Sequence, residues 1–207
     1  MNLRLADMSD LPKIKAVYRK IIENMDRDNV QIWDEIYPCE CFVTDIKRNR
    51  LYVLTEHEDV AGAFALCDAN DGEAYVRWEN KDAKAFYIDR LGVNTDYLRR
   101  GLGSYILKRA MELAGEQGAG YLRLFVVDIN KPAINLYLKN GFKRAGGIFE
   151  ERIDEELVLR EYGYEIKIPE PEFFAALSRY CLLYTSMRSA MARATSPAPV
   201  IITILSV

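Results

Sequence analysis

The run Arg90-Leu91-Gly92-Val93 leads into Leu98-Arg99-Arg100-Gly101-Leu102-Gly103-Ser104, which opens a predicted helix. These residue types at this spacing suit an anion. Glycines let the backbone approach a ligand closely, and the first helical turn presents unpaired N–H groups and the positive end of the dipole. Arg99 and Arg100 add two cations, so the segment reads as a pyrophosphate cradle. A P-loop would need Gly-Lys-Ser/Thr at the helix start, and Gly103-Ser104-Tyr105 lacks the lysine. A dinucleotide fingerprint would need a third glycine where Ile106 stands and an acid about 20 residues on, where Leu122 to Leu124 offers none. Alone, a Gly-x-Gly at a helix start can be no more than a tight turn.

The elements around the cradle are legible. Leu3 and Leu5 alternate with polar residues as in a strand, and Ser9-Asp10 offers an N-cap ahead of Pro12. Leu11, Ile14, Val17, Tyr18, Ile21, Ile22 and Met25 then recur at helical spacing. Pro38 is expected to open a shorter helix using Phe42, Val43 and Ile46. Strands Leu51–Thr55 and Val60–Leu66 flank the charged turn Glu56-His57-Glu58-Asp59, where His57 reads as a solvated turn residue. After a loop at Asp68–Gly72, Ala85–Val93 reads as a long strand. The cradle then starts a helix ending near Gly118, and Tyr121–Val127 is an apolar strand broken only by Arg123. Asn130 caps a short helix with Pro132 in its first turn and Gly141 past its end, and Phe142–Phe149 and Glu156–Ile166 read as two final strands. This order predicts a mixed sheet with helices on its faces, an α/β fold.

A second block, Asn130, Ala133, then Leu136-Tyr137-Leu138-Lys139-Asn140-Gly141-Phe142, follows the cradle. Together the two blocks resemble the GNAT superfamily of N-acetyltransferases. Its acyl-CoA motif is Gln/Arg-x-x-Gly-x-Gly/Ala, and its second motif is Asn-x-x-Ala-x-x-Leu/Phe-Tyr-x-x-x-Gly-Phe. Leu98 departs from the first pattern at its Gln/Arg position. The resemblance covers residues 1–167 in element order, and its specific motifs lie between Leu91 and Phe142. It implies a single-domain sheet whose central parallel pair is splayed for acyl-CoA, and transfer of an acetyl group from acetyl-CoA, as co-substrate, to a primary amine by direct attack. By the same resemblance Leu91, Gly92 and Val93 lie on the splayed strand, where Leu91 and Val93 pair their backbone with pantetheine. Leu98, Arg99, Arg100, Gly101, Leu102, Gly103 and Ser104 hold the pyrophosphate. Asn130, with Ala133 beside it in the motif, contacts the pantetheine arm, and Tyr137 faces the thioester sulfur.

That reaction asks little more of the chain. A free alkylamine with a pKa near 10.4 must lose a proton before it attacks, and a carboxylate can take it directly or through water. Asp89 and Glu79, on or next to the central strand, are the candidate bases. The departing thiolate is stabilised by proton donation, for which the Tyr137 phenol is matched. No covalent enzyme intermediate is required, so no cysteine need take part. Trp33, Asp34, Glu35 and Tyr37, between the first two helices, fall where the family borders its acceptor cleft. Glu150, Glu151, Asp154, Glu155 and Glu156 form an acidic run that either attracts a cationic amine or is a solvated turn. A small polyamine, an aminoglycoside-like compound and a peptidyl amine all fit as acceptors. Two other readings stand beside the enzyme: a non-catalytic acyl-CoA-binding or sensor module on the same fold, and a nucleotide-binding module.

Composition narrows the classes. Of 207 residues, 50% are hydrophobic and 29% charged, which excludes a wholly disordered, collagen-like or fibrous chain. A net charge of −3 argues against nucleic acid as a partner. No apolar run approaches the roughly 20 residues that span a bilayer, and Met1 to Asp7 has no signal-peptide core, so a cytoplasmic monomer or homodimer with no membrane partner is expected. Cys39, Cys41, Cys67 and Cys181 lack metal-ligand spacing and read as reduced thiols, two of them on a helix, with no metal expected. Residues 168–180 read as a terminal extension. From Cys181 onward there is no acidic residue, and Cys181-Leu182-Leu183-Tyr184-Thr185-Ser186 is similar to the conceptual translation of a sequencing-library adapter. Residues 181–207 are therefore read as a non-native or disordered tail.

Overall fold

The computed structural model describes residues 1–153 and 157–169. Chain order gives β1 (Asn2–Leu5), α1 (Leu11–Arg27), α2 (Cys41–Lys47), β2 (Leu51–Glu56), β3 (Asp59–Cys67), β4 (Val76–Arg77) and β5 (Ala85–Val93). There follow α3 (Leu102–Glu116), β6 (Tyr121–Val127), α4 (Lys131–Lys139), β7 (Lys143–Arg144), β8 (Gly146–Gly147), β9 (Phe149–Arg152) and β10 (Val158–Lys167). The sequence pattern gives the bounds of β5 and β6, because both are largely apolar, interrupted only by Asp89-Arg90 and by Arg123, and are closed by turn residues. Local chemistry also closes α3 and α4: Gly118 and Gly141 adopt left-handed φ values of +77° and +85° just past their ends.

The main sheet has eight strands in the order β1-β2-β3-β5-β6-β10-β7, with β9 also on β10. Among the described residues only β5 and β6 are parallel; their ladder starts at Ala85↔Tyr121 and stops at Ile88↔Leu124. Both strands run on, to Val93 and Val127, so a fork opens between them. β3 stays with β5 through the fork, but its register slips: Ala63 pairs with Gly92 while Ala65 pairs with Asp89. Between these pairs one residue of β3, Phe64, faces two of β5, Arg90 and Leu91, a bulge at Arg90, whose φ is +53°.

Helices cover both faces. Ile14, Val17 and Tyr18 of α1 and Phe42 and Ile46 of α2 pack with Leu51, Val53, Ala63, Ala65 and Tyr87 on one face. Buried side chains of this size contribute about 1.5–3 kcal/mol each. On the other face α3 buries Leu102, Ile106, Leu107, Ala110 and Ala114, and Ile106 lies against Gly62 of β3.

Several local expectations are corrected. Asp10 does not cap α1 with its side chain; its carboxylate takes the Arg4 guanidinium at 2.6 and 2.8 Å and the Asp7 N–H at 2.9 Å. Only Cys41 is helical, because the chain through Pro38 to Glu40 is a turn. The predicted strand Phe142–Phe149 is broken into β7, β8 and the start of β9, since Gly146 and Gly147 leave the main sheet to pair with β4. The expected loop at Asp68–Gly72 runs into a 3₁₀ turn, Asp71–Tyr75. No helix among the described residues is long and apolar enough to cross a membrane. The expectations for residues 170–207 and for Asp154, Glu155 and Glu156 lie outside the described residues.

Candidate active site at the fork

The β5 arm of the fork is fixed by α1 and by the turn that follows the strand. A Cβ at Gly92 would lie 2.8 Å from the Tyr18 ring and 2.9 Å from Ile21, so this glycine lets α1 close on the splayed strand. Tyr18 also donates its hydroxyl proton to the carbonyl of Arg90 at 2.5 Å, with the Ala63 carbonyl at 3.1 Å. The bulge therefore has a partner for a group that a regular ladder would have paired. Beyond Val93, buried Asn94 donates to the Val60 carbonyl at 2.9 Å and accepts from the Asp96 N–H at 3.1 Å, fixing the strand's exit.

The turn that follows presents a helix start to solvent. Leu98, Arg99, Arg100 and Gly101 are exposed, and Arg99 and Gly101 take left-handed φ values of +62° and +77°. Among the described residues no side chain caps α3, which leaves its first-turn N–H groups to an incoming anion. Arg99 makes no ion pair among the described residues, whereas Arg100 grips Glu56 at 2.9 and 3.0 Å and lies 4.9 Å over the Tyr97 ring. The two glycines serve different ends. Gly101 has open space where a Cβ would stand but needs its left-handed backbone. Gly103 faces protein: its Cβ would lie 2.8 Å from Leu136 of α4, so this close approach joins two helices rather than helix and ligand. The Ser104 hydroxyl accepts from the Asn140 side chain at 2.9 Å across the same contact. The cradle fits a pyrophosphate through backbone N–H groups and Arg99.

Asn130 caps α4, accepting the Ala133 N–H at 3.2 Å. Seven residues on, Tyr137 is 8% exposed, with ring centroids 6.0 Å from Phe142 and 6.3 Å from Tyr164. Tyr164 stands opposite Leu124, the last residue of β6 that pairs with β5, so Tyr137 lies beneath the start of the fork. Its hydroxyl has no hydrogen bond among the described residues, yet no buried side-chain oxygen there goes unpaired; the hydroxyl therefore reaches solvent. Burial first, then the charge of Asp89, pushes the phenol above its ordinary range.

Asp89 is the first residue of β5 past the ladder with β6. It accepts from the Asn70 side chain at 3.2 Å and lies 3.7 Å from the Arg90 guanidinium. Burial raises its carboxyl above the ordinary value, against the opposing pull of Arg90, Cys67 and Asn70. Glu79 is placed elsewhere. It is exposed, its N–H donates to Glu165 at 2.6 Å, and Glu165 pairs with Arg123 where β5 and β6 are still joined.

A second carboxylate joins Asp89 instead. Glu161 of β10 stands opposite Val127 on one side and Phe149 on the other, which puts it on the Phe125 face at the splayed end of β6. Glu151 of β9, opposite Leu159, is its diagonal neighbour on that face. Burial, then Glu151 and Asp89, pushes the Glu161 carboxyl up to about 7. Phe125, Phe149 and Tyr75 line the same face, with centroids 5.9 and 5.0 Å apart in that order. Nothing in the sequence marks Glu161, because Tyr162, Tyr164 and Ile166 put the apolar signal on the strand's other face. The α1–α2 segment supplies part of the far wall. Trp33 stacks on Tyr18 at 5.6 Å, and Asp34 accepts the Ile36 and Tyr37 N–H groups, while Glu35 is exposed. Buried Arg123, which looked like an exception in an apolar strand, joins Glu165 at 3.3 Å, Glu73 at 3.2 Å and the Asn80 carbonyl at 2.7 Å. Among the described residues no group of three or more His, Cys, Asp or Glu could hold a metal ion.

The fork, the uncapped helix start beside it and the buried tyrosine define an acyltransferase fold, and the comparisons give the family. Residues 17–142 match the acetyltransferase (GNAT) family. YwnH of Bacillus subtilis, a candidate phosphinothricin acetyltransferase, is 31% identical over 173 residues, covering 78% of this chain and 99% of its own. The bovine thialysine N-epsilon-acetyltransferase is 34% identical over 71 residues, 34% of this chain and 42% of its own. Among solved structures, a candidate acetyltransferase of Staphylococcus aureus Mu50 superposes with a TM-score of 0.61 at 25% identity, covering 82% of this chain and 100% of that one. The yncA protein of Salmonella typhimurium, solved with its cofactor acetyl-CoA, shares the fold with a TM-score of 0.60 at 16% identity, covering 82% and 95%. This chain belongs to the GNAT family and is an acetyl-CoA-dependent N-acetyltransferase.

Proposed function

We propose that Asp89 is the general base of this acetyltransferase, that Tyr137 is its general acid, and that the acceptor is a cationic amine held by Glu151 and Glu161. The observation that carries the reading is the meeting of an upshifted carboxylate and a solvent-reaching phenol at the fork, where the β5–β6 ladder stops. Leu91 to Val93 offer strand backbone to an acyl arm, and the Leu98–Ser104 turn offers N–H groups to a pyrophosphate. Acetyl-CoA supplies the acetyl group. Asp89 takes a proton from the ammonium, directly or through water, and the freed nitrogen bonds to the thioester carbonyl carbon. The carbon–sulfur bond breaks, Tyr137 gives its proton to the departing thiolate, and the resulting phenolate takes up the second proton that the nitrogen sheds as the amide forms. A buried carboxylate of raised pKa is the better base for an amine near 10.4.

The acceptor face carries Asp89, Glu151 and Glu161, while Arg90 and Arg123 are tied to carboxylates of the fold. Such a face attracts a second positive charge on the acceptor and repels an anionic one. A small polyamine, an aminoglycoside-like compound or a basic peptidyl amine fits better than the phosphinothricin of one relative's name. Thiol release from acetyl-CoA, measured with spermidine, kanamycin, lysine amide and phosphinothricin, tests this. Turnover confined to the cationic amines is expected; turnover of phosphinothricin alone would overturn the assignment of the acceptor.

A further inference from the structure

Successive side chains of a regular strand point to opposite faces. Asp89 and Arg90 do not. Asp89 meets Asn70, and Arg90 meets Asp45 of α2 at 2.9 Å and the Cys67 sulfur at 3.6 Å. The bulge and the left-handed backbone of Arg90 turn both side chains toward the α1–α2 face. The result is a row of alternating charges. Arg50 lies 2.7 Å from one oxygen of Asp45, Arg90 lies 2.9 Å from the other, and Arg90 reaches Asp89 at 3.7 Å. The Asp45 side chain is fully buried, that of Arg90 is 8% exposed, and that of Arg50 is 24% exposed.

We infer that Arg50, Asp45 and Arg90 form a charge relay that sets the basicity of Asp89, with Asp45 and Arg50 as positioning residues acting from α2 and the start of β2. The inference rests on Asp89 being the base. Arg90 is nearer to Asp45 than to Asp89, so Asp45 neutralises much of the positive charge that would otherwise hold Asp89 ionised. Arg50 in turn neutralises part of Asp45. A raised carboxyl is thus kept beside an arginine, an arrangement that would otherwise depress it. Asp89 also faces Cys67 of β3 and Tyr37 before α2, whose groups burial pushes up to about 12 and which are neutral at pH 7. Tyr137 of α4 is neutral there too. Glu151 and Glu161, from β9 and β10, add negative charge as pH rises and act alike in every variant below.

Two substitutions push in opposite senses. Asp45→Asn releases the Arg90 charge onto Asp89, so the Asp89 titration moves to lower pH. Arg50→Gln leaves Asp45 a stronger hold on Arg90, so the titration moves to higher pH. About half to one pH unit is expected each way, and Arg50→Lys should restore the wild-type position. The Asp89 carboxyl is followed by carbon-detected NMR in the full chain, and the acid limb of kcat is followed by thiol release. Loss of a merely structural contact would lower stability or rate without moving the two variants apart. Titrations that stay put, or move the same way, overturn the relay. If Asp45→Asn does not fold, the partly exposed Arg50→Gln decides alone. Titrations that move as expected while the kcat limb stays still, with Asp89→Asn as active as wild type, would instead remove Asp89 as the base.

Discussion

Tyr137→Phe separates catalysis from packing because the structure gives the two roles different consequences. The ring would stay against Phe142 and Tyr164, since only the hydroxyl is lost. A buried tyrosine hydroxyl usually gives up about 1 kcal/mol with its hydrogen bond. This one has no protein partner among the described residues, so that term is absent. The melting temperature should therefore stay within the roughly 2–4 °C that 1 kcal/mol represents at this size. The activity should not. A positioned acid contributes about 10²-fold or more, near 2.7 kcal/mol of barrier, and acetyl-CoA affinity should be almost unchanged. Because burial and Asp89 hold the phenol above its ordinary range, it stays protonated at working pH and adds no alkaline limb to the kcat profile. Single-turnover thiol release with enzyme in excess reads the chemical step apart from product release, and calorimetry reads binding. A phenylalanine variant as fast as wild type would refute the assignment of the acid, as would a rate loss matched by an equal loss of acetyl-CoA affinity.

Other expectations follow from the same contacts. Gly103→Val should drive a methyl group into Leu136 and cost about 1–3 kcal/mol, so that CoA affinity falls together with the melting temperature; a loss of affinity at unchanged stability would return Gly103 to the ligand. Glu161→Gln should raise KM for a cationic amine more than it lowers kcat, in contrast to Asp89→Asn. It should also change stability with pH: the wild-type carboxyl rises from 4.5 to about 7 on folding, so its penalty begins above 4.5 and is complete beyond 7. The glutamine variant should match wild type in denaturant unfolding at pH 4 and exceed it at pH 8 by no more than about 3 kcal/mol, at 1.36 kcal/mol per tenfold. Arg123→Met strands Glu165, 5% exposed, and should cost about 3–5 kcal/mol; adding Glu165→Gln should recover part of it, as denaturation midpoints will show.

Local chemistry made the scaffold of the site readable from the chain. Largely apolar runs gave β5 and β6 their bounds, the 3.6-residue stripe and the glycines past each end gave α3 and α4, and Asn130 announced its own cap. The two motifs sit on these elements, so the cradle and Tyr137 came with them. Each of those signals is carried by residues close together in sequence. What decides the chemistry is carried by residues far apart. The bulge that turns Asp89 and Arg90 to one face depends on the register with β3 and on the Tyr18 hydroxyl, 72 residues from the carbonyl it binds. Arg100 looked free beside Arg99 until the fold brought Glu56 to it, and Gly103 looked open until Leu136 closed on it. The run Phe142–Phe149 is apolar only at Phe142, Ala145, Ile148 and Phe149, and its Gly146 and Gly147 find their partner in a two-residue strand that no local pattern marks. Glu161 is one more acid in a charged stretch of sequence; only the meeting of β6, β9 and β10 buries it beside Glu151 and Asp89 and lifts its pKa. Periodicity and capping are properties of a segment, whereas burial, register and charge coupling are properties of its neighbours, and the neighbours are chosen only when the chain folds.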